Sequence, residues 1–116
     1  MAWRLVRLEL ASSGDYPRGS VGRSYLIRLP LTHGGSIDDV QLRQQPNRAT
    51  VRRHWANEPD SAGYFARIAA GYAIKADGVD DSRLLRFNDS GIEPGALAVM
   101  TEPDGSEMSF RIASID

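Results

Sequence analysis

With 116 residues, 41% apolar side chains and no cysteine, the chain predicts one globular domain, 1–116, with a core of its own. Disulfides, thiolate metal clusters and thiol nucleophiles are excluded. The net charge of −1 names no partner, yet residues 1–53 carry nine arginines against four acids, while 54–116 carry four arginines and Lys75 against eleven. Such a split predicts either a basic face suited to phosphates, or two halves that interleave and neutralise each other; the second needs no partner.

Arg4, Arg7 and Glu9 interrupt the apolar start MAWRLVRLEL, so it does not read as a signal-peptide core. No stretch reaches the roughly 18 apolar residues of a membrane helix. A cytoplasmic, membrane-free protein, monomeric by default, is expected.

Trp3 to Leu10 reads as a buried strand, with Val6, Leu8 and Leu10 on one side and Trp3 and Leu5 on the other. Ser12 to Ser20 is a loop by its Gly, Pro, Ser and Asp content. Val21 to Leu31 alternates, with Val21, Tyr25, Ile27, Leu29 and Leu31 sharing a face and Arg23 out of pattern. Pro30 lies opposite, which suggests a strand end or a sheet edge.

After a turn at Thr32 to Gly35, Ser36 and Asp39 form a weak capping box for a short helix from Ile37 to about Gln44. Ile37 and Val40 would share its inner face, and Pro46 ends it. Ala49 to Trp55 is the central strand: Ala49, Val51 and Trp55 face one side, Thr50, Arg52 and His54 the other. Arg53 then falls on the apolar side and needs an acidic partner, for which Glu58 and Asp60 are nearest in sequence.

A hairpin joins Tyr64–Ile68 to Tyr72–Ala76 through Ala69-Ala70-Gly71, with Gly71 available for a positive φ. Asp77 to Asp81 is an acidic loop, Arg83 to Phe87 a short strand, and Asn88 to Gly95 a run of turn residues. Leu97, Val99 and Thr101 alternate before Pro103-Asp104-Gly105, and Met108, Phe110 and Ile112 alternate after it, the signature of a hairpin. About eight short strands and one short helix predict an all-β fold, either a small antiparallel barrel or a bent sandwich.

The succession IDD (37–39), VRRHW (51–55), E-x-D-x-x-G (58–63), EPG (93–95), E-x-D-G (102–105) and SFRI (109–112) resembles a family of small uncharacterised alphaproteobacterial proteins. The likeness runs over most of the chain. His54, Ala70 and Tyr72 depart from the family's VRRFW and Gly-Gly-x-Trp. The family has no assigned activity, so the resemblance implies a full-length single-domain unit and transfers no catalytic residue.

His54, Glu58 and Asp60 are the closest approach to a metal or acid/base cluster, but there are only two histidines and no ligand-bearing spacing. No Gly-x-Ser-x-Gly elbow is present, so neither metal, cofactor nor catalytic residue is predicted. Arg48-x-x-x-Arg52 with Asn88-x-Ser90 partly resembles the cyclic-dinucleotide motif of PilZ-type barrels, although Glu93 stands where that motif has Gly. Arginines among aromatics on the central strand also suit RNA, against which the negative net charge weighs.

The expectation is a non-enzymatic binding or interaction module using the Arg52/Trp55 strand and its acidic turn, with Arg48, Arg52, Arg53, His54, Trp55, Glu58 and Asp60 as candidate contacts. A barrel binding a phosphate-bearing ligand (nucleotide, cyclic dinucleotide or RNA) through the same arginines is the alternative, and an enzyme the third.

Overall fold

Strands need partners on both edges, and here every edge is paired. A computed structural model describes residues 1–78 and 83–116. Eight antiparallel strands follow one another in chain order and close into a barrel. They are β1 (Ala2–Ser12), β2 (Ser20–Leu31), β3 (Thr50–Trp55), β4 (Ser61–Ile68), β5 (Gly71–Ala76), β6 (Leu85–Asp89), β7 (Leu97–Thr101) and β8 (Glu107–Ile115). Pairing of β1 with β8 completes the ring, with register shifts at Arg7/Leu8 and Leu10/Ser12. A third shift separates Glu9 from Leu10 against β2, whose pairing jumps from Ser24 to Ser20. Such bulges bend long strands, which is what closure of a small barrel requires.

Alternation fills the interior. Val6, Leu8 and Leu10 of β1 point inward, with Tyr25, Ile27 and Leu29 of β2 and Phe110 and Ile112 of β8. Phe65, Phe87 and Phe110 are fully buried, and Phe65 meets Phe87 edge to face at 5.1 Å. An eight-stranded barrel is just wide enough for side chains to fill it, so the centre is a packed core.

The connections between β2 and β3, β4 and β5, and β6 and β7 define one end, and the first of them, residues 32–49, carries the helical segment that covers it. The helix α1 spans Asp39–Gln44, and a single 3-10 turn follows at Pro46–Arg48. The cap is Asp38, whose Oδ1 accepts from the Gln41 amide at 3.1 Å, rather than the expected Ser36. The expected inner face is also displaced. Val40 is 52% exposed and Leu42 is buried, because the helix begins two residues later than Ile37. Ile37 bridges instead to Leu31 as an isolated extended contact.

Asp39 ties the helix to the β4–β5 hairpin, accepting from Arg67 Nη1 at 3.1 Å and from the Tyr72 hydroxyl. Pro30 lies beyond the reach of β3, whose pairing with β2 stops at Ile27, so its missing N–H breaks no ladder there. Its carbonyl accepts from the Asp38 amide at 2.8 Å.

Boundaries elsewhere shift slightly. The strand expected at Arg83–Phe87 is Leu85–Asp89, and the hairpin turn is Ala69-Ala70 with Gly71 at φ +127. Of the acidic loop expected at Asp77 to Asp81, residues 79–81 lie outside the described residues. Among the described residues no helix is long and apolar enough to cross a membrane.

Candidate functional site at the barrel mouth

At the opposite end the β1–β2 and β7–β8 connections and the ends of β2, β3 and β6 surround an open cavity of about 340 Å³. Its wall is a checkerboard set by strand register. Arg23 pairs with Trp55 and Tyr25 with Arg53 across β2 and β3, so the two arginines occupy one diagonal and the two aromatics the other. All four line the cavity, with Met108 of β8 and Tyr16 of the β1–β2 loop.

The rings hold the cations. Arg53 lies over Trp55 at 4.1 Å, and Arg23 lies over Tyr16 at 3.9 Å and faces Trp55 at 5.8 Å. Guanidinium groups stack on aromatic faces while keeping their in-plane N–H donors free. Beneath them Tyr25 packs edge to face on Trp55 at 5.8 Å and on Phe110 at 5.3 Å, so the floor is continuous with the core. Burial pushes the Tyr25 phenol up to about 12, against the opposing pull of the Arg53 guanidinium.

Tyr16 reaches the mouth because its loop is a built turn. Its carbonyl accepts from the Ser13 and Gly19 amides at 3.0 and 2.9 Å, and Ser13 Oγ accepts from the Tyr16 amide at 3.1 Å. Gly19 takes φ +79, where a Cβ would sit 2.3 Å from the Leu10 carbonyl oxygen, so only glycine closes this turn.

The two arginines differ in their partners. Arg53 meets Glu58 at 3.9 Å, with side chains 30% and 53% exposed. Its expected acidic partner is thus present, but the pair is not a buried one. Among the described residues Arg23 finds only the Ser20 hydroxyl, at 3.4 Å, as a side-chain hydrogen-bond partner, and its Nε is buried without one. Among the described residues no carboxylate comes within 4.0 Å of it. Asp15, Glu102 and Glu107 line the same cavity at a greater distance.

The seven candidate residues are sorted into three places. Arg53 and Trp55 line the mouth, and Glu58 joins them through its ion pair with Arg53. Arg52, His54 and Asp60 form a trio on the outer face, where Asp60 takes His54 Nδ1 at 2.9 Å and Arg52 Nη1 at 3.7 Å. Arg48 stands at the helix end, over Trp3 at 4.7 Å and bonded to Gln45 at 3.2 Å. Asn88 lies on β6 and Ser90 just beyond it, and β4 and β5 stand between β6 and the strand β3 that carries Arg52.

Four ion pairs join the oppositely charged halves and offset part of the split: Arg52 with Asp60, Arg53 with Glu58, Arg67 with Asp39 and Arg111 with Glu9. Sequence reasoning missed Arg23, Tyr16 and Tyr25 as site residues. The available signal was Arg23 itself, a cation on the apolar parity of β2.

Neither histidine lines the mouth, and among the described residues no group of three or more His, Asp or Glu could hold a metal ion. What the arrangement offers is donors, rings and a concave wall; the one lining hydroxyl with a carboxylate partner among the described residues is Ser106, whose Oγ donates to Glu102 at 2.8 Å within the β7–β8 turn. Comparison with protein-family models, with curated proteins and with solved structures finds no match.

Proposed function

We propose that the protein is a non-catalytic binding module whose site is the barrel mouth, and that the group it recognises is an oxyanion on a small molecule. The observation that carries this is Arg23: an inward guanidinium in a cavity of about 340 Å³, its Nε buried and without a partner. An arginine cannot shed its charge, so a shielded one needs an anion or another acceptor. Carboxylates and phosphates match its planar fork, and Arg53 on the same diagonal offers a second donor set. The cavity falls within the range of about 300–1,000 Å³ typical of small-ligand sites.

Phosphate-bearing ligands remain the second reading, favoured by the paired arginines alone. Asp15, Glu102 and Glu107 around the same cavity oppose it, because three carboxylates against two guanidiniums disfavour a doubly charged group more than a singly charged one.

Heteronuclear NMR titration with acetate and with inorganic phosphate, at fixed ionic strength, tests the site. Acetate should shift the Arg23 Nε–H and Trp55 indole N–H resonances saturably, and Arg23→Met should abolish the Trp55 shift while leaving the amide spectrum folded. Shifts spread evenly over the exposed arginines would overturn the assignment.

A further inference from the structure

Behind the mouth lies a second hollow of about 120 Å³, lined by Val51, Gly63, Ile74 and Ala76. Tyr25, Arg53 and Leu85 border both spaces, so the hollow lies beside Arg53. Val51 and Ile74 are buried and make part of its wall apolar, and Ser61 and Arg83 add polar groups to the rest. Native cores leave few voids larger than a water molecule.

The small residues of β4 and β5 border this one. Gly63 lies two residues before the buried Phe65, and the place its side chain would take is filled by the β5 backbone. A Cβ there would fall 2.2 Å from the Lys75 carbonyl oxygen, so β4 and β5 approach too closely for any larger residue. Ala76, two residues after the buried Ile74, adds a methyl group where other inward positions carry phenylalanine.

We infer that the ligand is a small aromatic monocarboxylate, its carboxylate at Arg23 and Arg53 and its ring in the hollow behind Tyr25. This rests on the reading of the mouth as an oxyanion site and adds the body of the ligand to its head. An apolar cavity of roughly 150 Å³ accommodates benzene, which sets the size of group that suits a space of about 120 Å³ open on one side. One ring fits; a fused pair does not. The three acids at the mouth select the single charge of a carboxylate over the two of a phosphate ester.

Binding of acetate, phenylacetate, inorganic phosphate and phenyl phosphate, each followed by the same NMR titration, separates head from body. Phenylacetate should bind about 10- to 50-fold more tightly than acetate, the gain from burying most of one ring. It should also bind more tightly than phenyl phosphate. Ala76→Leu, which fills the hollow, should bring phenylacetate down to the level of acetate while acetate binding stays as it was. The smaller change Ile74→Val, which enlarges the hollow, should improve binding of 2-naphthylacetate relative to phenylacetate. Phenylacetate within twofold of acetate, with acetate still shifting Arg23, would overturn this inference and leave the mouth reading standing. Failure of both acetate and phosphate to shift Arg23 would overturn the mouth reading and this inference together.

Discussion

Arg52 and Arg53 are neighbours in sequence with unequal roles, and alanine substitution separates them. Arg53 presents its guanidinium to Trp55 at 4.1 Å and to Glu58 at 3.9 Å, with a 30% exposed side chain. A partly shielded cation–π contact contributes about 0.5–1 kcal/mol. The ion pair adds at most about 0.5 kcal/mol, since Glu58 is 53% exposed and solvent screens it. Loss of the methylene stem beside Tyr25 and Leu85 removes roughly one more buried CH₂, about 0.8 kcal/mol.

Arg53→Ala should therefore destabilise by about 2 kcal/mol. A fully buried pair would have cost about 3 kcal/mol or more, but removal of Arg53 leaves Glu58 in water rather than stranded in the core. Arg52 is 62% exposed and 3.7 Å from Asp60, so Arg52→Ala should cost under about 0.5 kcal/mol. In urea, with an m-value of about 1–2 kcal/mol per M, that difference is a midpoint gap of about 1 M. Equal losses, or a larger loss for Arg52, would refute the assignment of the two side chains to opposite faces.

Three further outcomes follow from the same geometry. Tyr25, with its phenol raised from 10.0 to about 12, stays protonated in the folded barrel while the unfolded chain ionises. Its contribution is complete below pH 10 and is lost as pH rises to 12, a fall of about 2–3 kcal/mol that Tyr25→Phe should remove from the pH profile of urea stability. Gly63→Ala must push β4 from β5, because its Cβ would lie 2.2 Å from a carbonyl oxygen, and thermal unfolding should show a loss of about 2–3 kcal/mol. Asp38→Ala removes the bond to the Gln41 amide at 3.1 Å and should cost about 1 kcal/mol by chemical denaturation, where Ser36→Ala costs much less.

The barrel was legible where side chains alternate and turns carry their own chemistry. In the β7–β8 hairpin, Pro103-Asp104-Gly105 separates two period-2 runs, and Gly105 indeed takes φ +89. Asp104 accepts from the Ser106 amide and hydroxyl, which holds its carboxyl below the usual range. Strand β3 was readable for the same reason, and its alternation placed Arg53 inside and Arg52 outside.

The choice between barrel and sandwich was not readable, because it depends on whether β1 meets β8, a contact between residues about a hundred positions apart. The helix was misplaced by two residues because Ser36 and Asp38 are both good caps, and only the docking of Leu42 decides between them. Arg23 was seen as a flaw in an apolar pattern. Alternation shows the side a residue faces, not its height in the barrel. Bulges and the Tyr16 turn bring Arg23 level with Trp55 at the mouth, where a charge meets a cavity instead of the core.

A crystal structure of the protein grown with saturating phenylacetate tests the central claim most directly. The carboxylate should lie within about 3 Å of guanidinium nitrogens of Arg23, as charge-assisted bonds do, with the ring beside Val51, Ile74 and Ala76. A mouth in which Glu102 or Glu107 has turned onto Arg23, with no phenylacetate bound there, would contradict it.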